Sequence, residues 1–150
     1  MFKKTDENKS YFTTTVDLTI HLILALVLAA FFYWLTGRWV WPILGIAGGI
    51  LIDIDHFVDY FNHYGLKFVF SDFYCQNYGV SGKRYVFLHS WEIIILLWLI
   101  SRWVLWITPI VTGMTIHLLA DYIFHQHMHF IYFSLIYRWY HKFEVTEKGA

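Results

Sequence analysis

At 150 residues the chain has room for one domain, and with 58% hydrophobic, 22% aromatic and only 15% charged residues it has the composition of an integral membrane protein, not a soluble globular one. Its formal net charge is zero and no basic stripe interleaved with aromatics occurs, which argues against a nucleic-acid partner. The single Cys75 rules out an intrachain disulfide, and the apolar run behind the N-terminus is as long as a full span, not a short signal-peptide core.

In chain order, residues 1–15 read as a polar tail carrying Lys3, Lys4 and Lys9. Val16 to Leu35 is predicted as the first span, long enough for ~30 Å of hydrocarbon, with Asp17 and His21 four apart on one face. Gly37-Arg38 marks a tight turn, and Trp39 to Phe61 is the second span. Trp34, Trp39 and Trp41 around the turn suit an interfacial belt. Gly45 and Gly49 form a small-xxx-small pair, read first as packing. Asn62 to Arg84 is the one long connection, a candidate lid or plain linker. Tyr85 to Ile107 is predicted as the third span, with His89 and Glu92 in its first turns. Thr108-Pro109 is read as a break, and Pro109 to Phe124 as a fourth span holding His117 and Asp121. Phe130 to Tyr140 reads as an amphipathic helix in the headgroup region. The expected fold is thus all-α: a four-helix transmembrane domain over residues 16–126, with loop 62–84 and an interfacial or cytoplasmic C-terminal segment, 127–150.

Four spans put both termini on one side. Nine of the Lys and Arg residues fall on that side, against Arg38 and Arg102 on the other, so the termini and long loop are expected in the cytoplasm of an inner-membrane protein.

Because the spans alternate direction, starts of odd spans and ends of even spans share one level. Each helix then offers a histidine and a carboxylate there: His21 with Asp17, His56 with Asp53 and Asp55, His89 with Glu92, His117 with Asp121. Ionisable groups at the edge of hydrocarbon require a partner, and a cation is the obvious one. His117 and Asp121 share a helix face, as do Asp53 and His56. Asp53 and Asp55 diverge by about 160° on a regular helix, leaving Asp55 the less certain ligand, open to a second ion on the face of Asp59. The set His21, Asp53, Asp55, His56, His89, His117 and Asp121 exceeds the three protein ligands typical of catalytic zinc. Either two ions share carboxylates or some members support the others. Such ligation suits zinc first, then manganese or iron. His63, His125, His127, His129 and His141 read as interfacial side chains.

At Asp53-Ile-Asp-His56, Leu88-His89-Ser90 and His117-Leu-Leu-Ala-Asp121, with His21 upstream, the chain resembles the YdjM-like family of membrane-bound metal-dependent hydrolases. Ile52 stands where that family has proline, and Arg84-Tyr85-Val86 where it has His-Arg-Gly. The resemblance implies a divalent-metal site and hydrolysis. With it, the leading expectation is a hydrolase of a lipid-like phosphoester or ester at the cytoplasmic face, with Glu92 or Asp55 as general base and Lys83 and Arg84 holding an anionic headgroup. Glu92 has a plainer reading, as a partner of Lys83 or Arg84. Alternatives of other classes are a haem-binding electron-transfer bundle, a metal or proton translocator, and a non-enzymatic structural membrane protein.

Overall fold

The computed structural model describes residues 4–74, 83–124 and 130–144. Cys75, His125, His127 and His129 lie outside them. The fold is all-α, in the order α1 (Lys4–Thr36), α2 (Val40–Leu51), a 3-10 turn (Ile52–Ile54), α3 (Asp55–Tyr64), α4 (Phe70–Tyr74), α5 (Trp91–Ser101), α6 (Ile107–Phe124), a second 3-10 turn (Phe130–Phe133) and α7 (Leu135–Tyr140).

Within apolar helices a hydroxyl must find its partner in the backbone. Thr15, Thr19, Thr36, Thr112 and Thr115 each donate to the carbonyl four residues earlier. Gly37, at φ +61°, ends α1 with its N–H on the Tyr33 carbonyl, which places the predicted turn. Here α2, the 3-10 turn and α3 run on as one apolar stretch, Val40–Tyr64.

Among the described residues three helices, not the expected four, are long and apolar enough to cross a membrane: Tyr11–Thr36, Val40–Tyr64 and Ile107–Phe124. The predicted third span is replaced by α5, only 11 residues, or about 16 Å at 1.5 Å per residue. Its first residues are not helical because the N–H groups of Leu88 and His89 are drawn to the Asp55 carboxylate. Its end tightens, Arg102 bonding Leu99 and Trp103 bonding Ile100 three residues back. Pro109, expected to break a helix, lies in the first turn of α6, where a missing N–H costs nothing.

Trp106 ahead of α6 stacks near Trp41 of α2, ring centroids 6.4 Å apart, so the turns at Gly37 and at 102–106 lie at one end of the bundle. The closest packing is α2 against α6. A Cβ on Gly48 would overlap the Ile110 carbonyl, and one on Gly113 the Gly45 carbonyl. The backbones therefore touch, Gly113 lying on the predicted Gly45–Gly49 pair and Gly48 on Ile110. A Cβ on Gly49 would meet nothing closer than Gly113 O at 3.9 Å. Ile52, Ile94, Val111, Met114, Leu118 and Phe133 form the buried core. In the long connection, α4 folds back on α3: Phe73 stacks on Phe57 at 4.4 Å, and the Val69 N–H donates to the Tyr60 hydroxyl at 2.7 Å.

Candidate metal centre

Four chain segments deliver imidazoles to one place: His21 from α1, His56 from the start of α3, His89 from the extended approach to α5, His117 from α6. Asp53 Oδ1 lies 3.3 Å from His117 Nε2, 3.5 Å from His89 Nε2 and 3.8 Å from His56 Nε2. Asp121 Oδ2 lies 3.6 Å from both His89 Nε2 and His117 Nε2, and its Oδ1 is 3.1 Å from His21 Nε2. Two groups that can hold an ion result, His21/His117/Asp121 and Asp53/His56/His89, each with its ligand atoms within 4.8 Å of one another. Asp53 and Asp121 each face a histidine of the other group, the arrangement in which carboxylates bridge two ions.

The donor atoms suit a cation. His21 Nε2 is buried and makes no hydrogen bond although Asp121 Oδ1 is near, while its Nδ1 is fixed by the Asp17 carbonyl at 2.9 Å. His89 Nδ1 sits 3.0 Å from Asp55 Oδ1, which turns Nε2 toward Asp53 and Asp121. Imidazoles held at one nitrogen and offered at the other are the usual form of a metal-ligating histidine. Three carboxylates, those of Asp53, Asp55 and Asp121, surround the buried His89 ring. The site thus calls for positive charge, which a bound cation supplies.

The divergence of Asp53 and Asp55 is put to use: the two grip opposite nitrogens of the His89 ring. Asp55, 3% exposed, also accepts the N–H groups of Leu88 at 2.7 Å and His89 at 3.3 Å. It joins neither ligand group and orients His89. One turn on, Asp59 accepts the Tyr85 N–H at 2.7 Å. From the other side the buried Arg138 of α7 donates to the carbonyls of Val86 at 2.8 Å and His89 at 3.0 Å. Residues 85–89 are therefore clamped between two carboxylates and a guanidinium. Burial draws the Arg138 guanidinium below its ordinary range, with Asp55, Glu92 and Asp59 opposing. Sequence reasoning passed over Arg138; its signal is that it is the one charged residue in the aromatic run Phe130 to Tyr140.

Glu92 stands apart from both groups. Ser134 Oγ donates to it, as do the N–H groups of Leu135 at 2.9 Å and Ile136 at 3.2 Å, so it caps α7. Lys83 is exposed and pairs in a short antiparallel bridge with Glu144. The Arg84 N–H bonds the Phe143 carbonyl at 2.9 Å.

Two alternatives lose ground to this geometry. The His21 and His117 rings stand with centroids 4.1 Å apart and those of His89 and His117 5.6 Å apart, with no room for a porphyrin between facing imidazoles. Along α1, α2 and α6, between this cluster and the Arg38 and Arg102 turns, no charged residue occurs, and on α5 the one carboxylate, Glu92, is held by the N–H groups of α7, so a translocation path has no carrier there.

No protein-family model, curated protein or solved structure matches the chain. Its class is set by its own features: an all-α protein with, among the described residues, three helices long and apolar enough to span a membrane and two His/Asp groups that could hold metal.

Proposed function

We propose that the protein is a membrane-embedded, metal-dependent hydrolase that cleaves a phosphoester or ester of an amphiphilic substrate. The observation that carries this reading is the convergence of four imidazole Nε2 atoms on the carboxylates of Asp53 and Asp121. The His21 and His89 rings are each fixed at Nδ1 with Nε2 turned toward these carboxylates, the orientation of a metal-ligating histidine. The resemblance to the YdjM-like hydrolases at these same residues adds support.

His21, His117 and Asp121 form one ligand set and Asp53, His56 and His89 the other, for zinc first and manganese or iron next. A bound divalent cation would polarise the scissile oxygen and bring the pKa of a water at the site to about 7. Asp53 has a 41% exposed side chain against 14% for Asp121 and 6% for His89, so it is the ligand that water and substrate reach. We assign it the proton of the attacking water. Neither Glu92, occupied at α7, nor Asp55, occupied at residues 88–89, keeps the general-base role expected of it. Arg84, within electrostatic reach of His56 and Asp59, is the cation to meet an anionic substrate, with Lys83 beside it. By the balance of Lys and Arg we assign this end of the bundle to the cytoplasmic side of the cell membrane.

The test is elemental analysis of detergent-purified protein beside His117→Ala. Near-stoichiometric zinc, manganese or iron in the parent, lost in the variant, is the expected result. Hydrolysis of lipid phosphoesters and esters should then stop on chelation. Full activity in an Asp53→Ala, His117→Ala double variant would sink the proposal.

A further inference from the structure

The metal-ligand cluster has an apolar annex. A cavity of about 180 Å³ begins at His21, Asp53 and His117 and runs toward the Gly37 end of the bundle between α1, α2 and α6. Beyond those three residues its walls are hydrocarbon or glycine, chiefly Leu24, Ala25, Leu28, Gly45, Ile46 and Gly49. The far end is shut by Leu28 and Phe32, each 6% exposed, which lie against Gly45. The side is open to the bilayer past Leu22 and Ile50, 60% and 63% exposed.

We infer that this cavity holds a single hydrocarbon chain of the substrate, with the polar linkage seated at His21, Asp53 and His117. The inference rests on the hydrolase reading above and names where its amphiphile lies. Apolar cavities of this size stay dry and accept apolar guests, and the ionisable end fixes which end of the guest is polar. The space is too small for a helix of a second copy, which measures roughly 10–12 Å across with its side chains. Lipid tails are as apolar as leucine, so a chain entering from the bilayer gains no hydrophobic driving force. The cavity acts by shape: a chain that fits fills the void, and one too bulky or branched does not enter.

Gly49 is the place to test this. A leucine there has open space at its Cβ and points into the cavity, whereas side chains at Gly48 or Gly113 would force the helices apart. Ala25→Phe fills the same space from α1. Both variants and the parent are reconstituted in phospholipid nanodiscs, loaded with zinc and photolysed with alkyl phosphates carrying a mid-chain diazirine, one linear and one branched isoprenyl. Cross-links are mapped by mass spectrometry, and metal content and thermal transition are measured in parallel. Labelling at Leu24, Ala25 or Ile46 in the parent, reduced about ten-fold or more in both variants by overpacking with metal content unchanged, supports the inference. The arm that labels tells a linear from an isoprenoid chain. Labelling confined to the lipid-facing Ile23 and Val27, or equal in all three proteins, overturns it while leaving the metal centre standing. Absence of bound metal in the parent overturns the hydrolase reading, and with it the assignment of this chain to a substrate, even where the cavity is labelled.

Discussion

Asp55 and Arg138 act on the centre through backbone and ring orientation, so their removal should separate metal affinity from fold. Asp55→Asn keeps the shape and one acceptor oxygen but removes the charge behind His89 Nδ1. Loss of such a supporting carboxylate typically weakens metal binding by 10- to 100-fold. Competitive chelator titration should show a shift of that order with helical content intact; unchanged affinity would mean that His89 is not a ligand. Arg138→Met goes further, leaving the buried carbonyls of Val86 and His89 without their donor and removing the cation that offsets Asp55 and Asp59. Breaking a buried charged network from one side costs about 3–5 kcal/mol, so a clear fall in thermal stability is expected. Arg138→Lys should restore only part of it, because an ammonium cannot span both carbonyls as the planar guanidinium does. Complete rescue by lysine would refute the clamp.

The elements of the bundle are set by close approach as much as by hydropathy. Gly113→Ala drives a methyl into the Gly45 carbonyl and should destabilise the α2–α6 contact by about 1–3 kcal/mol, whereas Gly49→Ala should leave the melting midpoint nearly unchanged. Equal effects at the two sites would contradict the packing. Helix existence was legible in the sequence because long apolar runs admit few other folds in lipid. The extent of α5 was not, since Tyr85 to Ile107 is apolar throughout and hydropathy cannot register that Asp55 and Asp59, about thirty residues earlier, take the N–H groups a helix would need. The clustering of these groups was legible from their spacing: His21, Asp53, His56, His89, His117 and Asp121 fall into two groups that could hold metal. Which carboxylates serve as supports was not, because that depends on the 3-10 turn at Ile52–Ile54 and on where Arg138 of α7 docks, which an amphipathic pattern over Phe130 to Tyr140 does not specify.

At the scale of the whole molecule, the ligands sit about 15–22 Å from the end bearing the Gly37 turn, counting from Thr36 to His21, Val40 to Asp53 and Ile107 to His117. That distance sets the cluster toward the opposite end of the bundle, where it ties α1, the α2–α3 junction, the approach to α5 and α6 together. A cation there would link four segments far apart in sequence, and its binding free energy would enter the stability of the fold directly. For a ligand that binds the folded form alone, the gain is RT ln(1 + [L]/Kd), or about 2.7 kcal/mol at a hundredfold excess over Kd. Thermal unfolding in detergent should therefore shift upward with added zinc in a concentration-dependent manner and return on chelation. His117→Ala and Asp53→Asn should each lose most of the response. Glu92→Gln should keep it, because Glu92 holds α7 and stands outside both ligand groups. Identical midpoints for the parent protein at zero and saturating metal would show that the cluster binds none of the ions tried. A response surviving in His117→Ala would move the binding site elsewhere in the chain.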